Sequence, residues 1–295
     1  MANETTGTTV TEAIQAEIVN LAIKNYLIDA PVINPLVQYA SLEGQGSRSM
    51  SFVLITKDTG SDITDGTGLS NNDIDTSDVS ITVAQVGIAR EITDFAAATV
   101  KMGAQALFQL AVNDGVALCV EMLEDDLAAL FASATGTTVG TSGSDMTVAN
   151  HVEAIARLRT ARVRGNFVAV YDDQQAYDLM AAVAASTGAV FGGANVDQSV
   201  LNAGSDGYVG SLMNVPVWMT NLTDTANTAA NVVGSMFADG GTSPGYCPYS
   251  WVELWAPRLK STPSPRMPSE VMSVTSAYGV GATHPTAGIP VITDA

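Results

Sequence analysis

The histidines, the cysteines and the adjacent carboxylates are the residues of this sequence that could do chemistry. His151 lies in an arginine-rich helical segment and His284 precedes a proline, so their contexts predict structural or surface roles and no shared catalytic site. Cys119 falls inside a long helical pattern, where it is most simply a small buried apolar residue, and a disulfide with Cys247 is not expected. Adjacent aspartates diverge on a helix and do not form an acid–base pair by spacing alone.

Sequence motifs for catalysis or phosphate binding are absent. The chain lacks a Gly-x-Ser-x-Gly elbow, a Cys-x-x-Cys pair, a His-Glu-x-x-His zinc motif and a phosphate-cradling GxxxxGK[ST] loop. The glycine-rich segment 66–71 is followed by neither a lysine nor a helix start. The sequence therefore predicts no enzyme, no cofactor and no metal site.

Charge is sparse and strongly negative. Charged residues make up 14% of the 295, the formal net charge is −18, and apolar residues make up 46%. A dedicated nucleic-acid binder needs clustered cations and is disfavoured. A composition so apolar and so poor in charge favours burial of surface against other copies. The N-terminal segment resembles no signal peptide and no window approaches about 18 apolar residues, so we expect synthesis in a cytoplasm and no membrane partner.

One helical segment carries a third of the positive charge of the chain, in four closely spaced arginines: Arg157, Arg159, Arg162 and Arg164. Three interpretations remain open: a solvated helix face, pairing with the acidic end of the long helix or with a neighbour's acidic loop, and contact with nucleic acid. Because these arginines face a surplus of carboxylates, we hypothesise that they set the register between subunits.

Two alternating segments predict an extended hairpin. Residues 48–57 alternate, and the pattern returns from Val79 with a phase shift near Ala84 or Gln85 that indicates a bulge. The loop between them holds six aspartates and one lysine and is longer than a turn needs. An isolated hairpin is marginally stable, so this one is expected to lie across a partner, although a mobile surface hairpin is the alternative. Its candidate inter-subunit contacts are Met50, Phe52, Leu54, Asp62, Asp65 and Asp73.

The longest helical pattern runs from Thr93 to Ser133 without a proline. Gly103 and Gly115 interrupt it at a cost of about 1 kcal/mol each, so a bend is expected. We predict a short first helix from Thr93 to about Met102, a bend near Gly103 and a spine from about 104 to 131. Gly115 would let that spine curve.

The remaining elements follow from caps, prolines and periodicity. A capping box opens a helix at about 9–28, and two prolines predict an extended run over 31–39 that is neither helix nor central strand. Residues 260–268 hold three prolines and predict a stiff extended connection. The other predicted elements are a helix starting at His151 with Val152, Ile155 and Leu158 inward, a strand at Asn166–Tyr171, a helix at Asp173–Ala185, and strands at Val215–Thr220, Val232–Ala238, Trp251–Pro257, Glu270–Val280 and within His284–Ile292.

The order of these parts resembles the major capsid proteins of tailed bacteriophages. The resemblance is carried by the strand entry Gly207–Val217, by the strand-then-helix unit 166–185 and by the closing segment Ala277–Ile292. It implies an α+β fold, the tailed-phage major capsid fold, with an N-terminal arm, an extended β-hairpin loop, a peripheral domain with a long spine helix and an axial α/β domain. The implied boundaries are 1–40 for the arm, 41–92 for the hairpin, 93–138 for the spine, 139–248 for the axial domain, 249–283 for peripheral strands and 284–295 for a C-terminal strand.

The resemblance also implies a function. Copies would form hexamers and pentamers that close into an icosahedral head around double-stranded DNA, without sequence-specific binding and without a cofactor. The expected partners are the chain itself, a separate scaffolding protein and a portal, with a decoration protein as a further candidate, in the virion and earlier in the host cytoplasm. Lys57 lies at the base of the hairpin, so a covalent crosslink between subunits is not expected. The alternatives are a bacterial nanocompartment shell, an acidic soluble enzyme, and a tail-tube or adhesin protein, which would be mostly strand.

Overall fold

The computed structural model of the chain describes residues 4–5, 32–55, 76–99, 104–185, 207–222, 231–264 and 268–294. The helix predicted at 9–28 and the aspartates Asp62, Asp65 and Asp73 lie outside these residues. The helices are α1 (Asp94–Thr99), α2 (Ala104–Ala129), α3 (Val148–Thr160) and α4 (Asp173–Ala185). The strands are β1 (Glu4–Thr5), β2 (Gln38–Ser41), β3 (Ser49–Ile55), β4 (Thr76–Thr82), β5 (Ala84–Thr93), β6 (Val139–Gly140), β7 (Phe167–Asp172), β8 (Tyr208–Leu212), β9 (Val215–Thr220), β10 (Asn231–Ala238), β11 (Tyr249–Pro263), β12 (Ser269–Ala282) and β13 (Ile289–Asp294).

The long helical pattern contains two described helices, α1 and α2, and the bend predicted near Gly103 lies outside the described residues. α1 begins after Thr93, whose hydroxyl accepts a hydrogen bond from the N–H of Ala96 at 3.2 Å, and α2 ends in a 3₁₀ turn at Leu130–Ser133. α2 lies on β5 and β12. A Cβ atom on Gly115 would lie 2.7 Å from Cγ2 of Val274, so glycine allows the helix to approach the sheet closely at this point. Curvature at Gly115 stays a prediction.

A five-stranded sheet supports α2. Its strand order is β1-β5-β12-β11-β2, and β11 pairs with β12 in an antiparallel hairpin that reaches the pair Pro263 and Glu270. The prediction of a separate proline-rich connection was therefore wrong for Lys260 to Pro263, which continue β11. The prolines are tolerated because Pro263 ends the strand and Pro257 falls where the register shifts between Trp255 and Arg258.

The segment before β2 differs from the predicted extended run in one respect. A 3₁₀ turn at Asn34–Leu36 precedes β2. Pro35 suits the start of a helical turn, because the missing N–H would have no partner there. β2 itself is an edge strand, parallel to β11.

A six-stranded sheet forms the second unit, with strand order β6-β13-β10-β7-β9-β8. β7 and β9 are parallel, and α4 follows β7 directly, which confirms the predicted strand-then-helix unit. α3 buries Ile155 and Leu158 as predicted, but Val152 is only half-buried, and His151 and Ala154 complete the inward face. The last strand starts later than predicted, at Ile289, after a 3₁₀ turn at Pro285–Ala287.

The two sheets meet around a core of aromatic side chains. The rings of Phe131, Phe237 and Tyr249 lie 5.1–6.1 Å apart. Ile33 and Val37, which flank the 3₁₀ turn before β2, pack into the same core. The segment from 32 to 41 therefore helps to join the two sheets.

A two-stranded ribbon of β3 and β4 extends from the five-stranded sheet, with Phe52 opposite Val79. The phase shift expected near Ala84 or Gln85 has a different cause from a bulge. The chain leaves the ribbon at Val83, which is buried, and continues from Ala84 as β5 paired with β12.

Candidate subunit-contact surfaces

The two faces of the ribbon differ in exposure. Met50 and Phe52 are half-buried and pack against a small core in the same chain that includes Ile81. The opposite face carries Val53 and Ile55, whose exposed fractions are 64% and 72%. The contact residues predicted from the sequence, Met50, Phe52 and the half-buried Leu54, lie on the inner face. The prediction did not include Val53 and Ile55, whose exposure makes them the stronger candidates for contact with another molecule.

The C-terminal end of α3 forms an arginine corner, defined as Arg157, Arg159, Arg162 and Arg164. Arg157 is held locally: its guanidinium donates to the carbonyl oxygens of residues 137 and 138 at 2.9 and 2.6 Å and pairs with Glu153. Arg159, Arg162 and Arg164 are exposed, and among the described residues no hydrogen bond or ion pair involves their side chains. Within the described part of one subunit, no ion pair joins these arginines to the acidic end of α2.

Backbone geometry singles out Arg162. Its φ is +59°, in the left-handed region, and the N–H of Val163 donates to the carbonyl of Leu158 at 3.1 Å to close the helix. Glycine is the usual residue at this position of a helix end, and a residue with a Cβ atom costs about 1 kcal/mol there. An arginine kept at a strained and exposed position supports a role for its side chain outside the subunit.

Glu124 is the only fully buried carboxylate among the described residues. Its oxygens accept hydrogen bonds from the N–H groups of Val32, Ile33 and Asn34 at 3.3, 2.7 and 2.8 Å. Burial raises the pKa of Glu124, and the three N–H donors oppose that rise. Glu124 thus ties the segment before β2 to the spine helix. Sequence reasoning missed it, because Glu124 belongs to a run of four similar acidic residues on α2.

His151 is a structural histidine. Its Nδ1 lies 2.9 Å from the hydroxyl of Tyr171 and its Nε2 lies 3.3 Å from the carbonyl oxygen of Leu212. Because a carbonyl only accepts, Nε2 carries the proton and Nδ1 accepts from the tyrosine. Burial lowers the pKa of His151 to about 4, so the ring is neutral at pH 7. His284 contacts Thr286, at 3.0 Å, and lies outside this arrangement.

Other groups that could do chemistry are weakly placed for it. Burial raises the pKa values of both thiols, that of Cys247 to about 11, so neither is an activated nucleophile. Within the described residues, the carboxylates of Asp145, Asp178 and Asp294 lie within 4.8 Å of one another. These groups are at least partly exposed, and such acidic clusters are common without an ion. In the part of the chain described, no helix is long and apolar enough to span a membrane.

Comparison with solved structures shows the same arrangement of parts elsewhere. A chain from a structure of Mycobacterium phage Che8 matches with a TM-score of 0.67 and 15% identity, over 91% of this chain and 93% of that chain. A chain from the capsid of Ralstonia phage GP4 matches with a TM-score of 0.65 and 10% identity, over 92% and 93%. A chain from the capsid of the cyanophage P-SCSP1u gives 0.61 and 14%, over 93% and 91%.

This chain has the fold of phage capsid proteins. No protein-family model and no curated protein matches its sequence, so the likeness is one of structure. The predicted α+β phage capsid fold is confirmed over nearly the whole chain. In this phage capsid fold, the ribbon and the arginine corner are two described features that project apolar surface or charge away from the subunit's own core.

Proposed function

We propose that this chain is the major capsid protein of a tailed phage. Copies assemble into hexamers and pentamers that form an icosahedral head shell around double-stranded DNA. The observation that carries the proposal is the match of fold to phage capsid chains over nine-tenths of both partners. These matches are to capsid chains, and an enzyme is not supported. The chain is a structural protein.

Charge and surface composition support this function. The net charge of −18 gives a shell that does not hold entering DNA by clustered cations. Val53, Ile55 and Phe95 are exposed by 64%, 72% and 71%. Large apolar side chains exposed in this way are stabilised when another copy covers them.

The proposed contacts between copies use the ribbon and the arginine corner. The ribbon strands lie across an adjacent subunit, and the exposed arginines Arg159, Arg162 and Arg164 pair with carboxylates of a neighbour. Five further proposals follow from the same function: a scaffolding protein, a portal, a decoration protein, assembly in the host cytoplasm, and division of the chain into peripheral and axial domains at residues 139 and 249.

Purification and electron microscopy test the function. We expect gel filtration to separate capsomer rings or megadalton particles, and micrographs to show closed shells that lack an enclosed enzyme. A stable monomer at micromolar concentration contradicts the proposal. A shell that encloses another protein instead of DNA identifies a nanocompartment.

Charge reversal tests the arginine corner. We expect Arg159→Glu with Arg162→Glu to weaken assembly most at low salt, because exposed ion pairs are screened as salt rises. Arg157→Gln is the matched comparison, since Arg157 is already engaged within the subunit. Unchanged assembly of the double variant at every salt concentration contradicts this role of the corner.

A further inference from the structure

The arginine corner presents a cationic surface at the C-terminal end of α3. Arg159, Arg162 and Arg164 fall within six residues of the chain and are exposed. In the described part of the chain no ion pair involves them. Arg162 also keeps a φ of +59°, which glycine would adopt without strain. Several cations so close in the chain, none of them neutralised by a described carboxylate, favour an anionic partner outside the subunit.

A cluster of like charge lies at the other end of the same helix. We call it the acidic triad and define it as Asp145, Asp178 and Asp294. Their carboxylates lie within 4.8 Å of one another. Asp145 is exposed and the other two are half-buried. Among the residues that the structure describes, no cation forms an ion pair with any of the three.

Three elements bring the triad together. Asp145 stands three residues before the first residue of α3, Asp178 lies on α4, and Asp294 ends β13. The N–H of Asp294 donates to the carbonyl oxygen of Ser144 at 3.2 Å, and the amide of Gln174 donates to Asp178 at 3.1 Å. The fold therefore holds three carboxylates side by side.

This proximity has an electrostatic cost. Desolvation raises the pKa of Asp178 above its ordinary value, and the charges of Asp145 and Asp294 add to the rise. Hydrogen bonds from the N–H of Met146 and from Gln174 oppose it. A cation brought close to the triad relieves the repulsion, since an opposite charge favours the ionised carboxylate.

The two clusters cannot meet within one subunit. α3 has 13 residues, so its ends lie about 20 Å apart, whereas an ion pair needs roughly 4 Å. Each copy thus carries a cationic surface and an anionic surface at opposite ends of one helix. A contact that joins two different surfaces of identical copies is heterologous, and its repetition closes into a ring when the rotation between copies fits.

We propose that the arginine corner of one copy binds the acidic triad of the next copy around a ring. This inference rests on the proposed function and deepens it, because it names the carboxylates that the exposed arginines meet. Charge complementarity selects a second copy as the partner. The guanidinium group suits carboxylates because its planar fork can bind both oxygens. Exposed pairs are weak singly, but several charges on each side form a network that contributes measurably.

Reversing the charge of each side tests the pairing. The corner-reversed chain carries Arg159→Glu with Arg162→Glu, and the triad-reversed chain carries Asp145→Lys with Asp294→Lys. Asp178 is left in place, because it accepts a hydrogen bond from the N–H of Met146. At low salt we expect each chain alone to need about tenfold more protein for half-assembly, because like charges then meet at every contact. Sedimentation velocity measures assembly, and thermal unfolding shows that each chain is folded.

A mixture of the two reversed chains gives the decisive result. One chain then has two anionic surfaces and the other has two cationic surfaces, so chains that alternate around a ring restore opposite charges at every contact. Alternation requires an even number of copies. We expect native mass spectrometry of the mixture to show rings of six with three copies of each chain, and no rings of five. A single chain with all four substitutions should assemble by itself into rings of both sizes.

A matched control separates pairing from net charge. Glu43→Lys with Asp78→Lys changes the net charge as much as the triad reversal does, at two exposed positions outside α3 and the six-stranded sheet. We expect that this control chain, mixed with the corner-reversed chain, leaves assembly as weak as in the corner-reversed chain alone.

The outcomes are distinct. If the natural protein assembles but the mixture does not, or if the mixture forms rings of five as readily as rings of six, the inference is overturned and the shell stands. Corner reversal that abolishes binding to a labelled DNA duplex and leaves assembly unchanged assigns the corner to nucleic acid and also overturns it. So does assembly that a chelator abolishes and magnesium restores, when the mixture gives no rescue. A natural protein that never assembles overturns the proposed function and this inference with it.

Discussion

Replacement of Glu124 by alanine is the sharpest test of how the subunit is held together. In the natural protein one buried carboxylate accepts three backbone N–H groups from a segment some 90 residues away in sequence. No cation pairs with it among the described residues. The variant therefore removes the only described acceptor for these donors, and no ion pair is broken.

The magnitude follows from which donors are buried. Val32 and Ile33 are 4% and 0% exposed, so their N–H groups lose their acceptor without ready access to water. Each costs about 1–3 kcal/mol. The N–H of Asn34 is partly exposed, so water replaces its partner. Relief from burying a charge offsets part of the loss, since burial raises the pKa of Glu124. We expect a net loss of about 2–4 kcal/mol in the free energy of unfolding.

Chemical denaturation of the subunit measures this loss, and hydrogen exchange at residues 32–34 locates it. Glu121→Ala is the matched control, because Glu121 lies one turn earlier on the same helix and is only half-buried. We expect that control to change stability by less than about 0.5 kcal/mol. A loss below about 1 kcal/mol for Glu124→Ala, with residues 32–34 still protected, would show that the three hydrogen bonds are replaceable.

Glu124→Gln adds a check on the sign of the electrostatic effect. Because the pKa of the folded carboxyl is raised, its contribution to stability falls as pH rises through that pKa. The advantage of the natural protein over Glu124→Gln should therefore be larger in acid and smaller at neutral pH. An advantage that grows with rising pH contradicts the assignment of burial as the main cause.

Three further outcomes can be checked by denaturation of the subunit. Arg162→Gly should raise the free energy of unfolding by about 0.5–1 kcal/mol, since glycine accepts the φ of +59° without strain, while assembly weakens; no gain in stability would refute the strain. Gly115→Ala should lower stability by about 1–2 kcal/mol through its contact with Val274, and adding Val274→Ala should restore part of the loss. Because the pKa of His151 is lowered from 6.5 to about 4, stability should fall by about 3 kcal/mol between pH 6.5 and 4, and His151→Gln should abolish that part of the slope.

Local sequence signals predicted the elements, and long-range contacts decided the site. The start of α1 follows from a cap at Thr93, which acts within one turn of the helix. The role of Glu124 depends on donors distant in sequence, and no periodicity distinguishes it from the acidic residues beside it. The pairing of Lys260 with Ser273 was likewise not predicted, because prolines on either side argue against a strand. The hairpin tolerates these prolines because Pro263 ends β11 and Pro257 lies where the register shifts between Trp255 and Arg258.

Two features of the isolated subunit share one explanation. Arg162 adopts a backbone angle suited to glycine, and Val53 and Ile55 are exposed on one face of the ribbon. The backbone angle of Arg162 costs about 1 kcal/mol in a lone subunit, and each exposed apolar side chain leaves about 1.5–3 kcal/mol of burial ungained. In a protein selected to work as a monomer, single substitutions would readily remove the strain at Arg162 and the exposed apolar side chains, since stabilising changes are easy to find. Under the proposed function, the Arg162 side chain and the exposed face of the ribbon acquire partners only when copies assemble. This sequence is therefore most stable in the assembled shell.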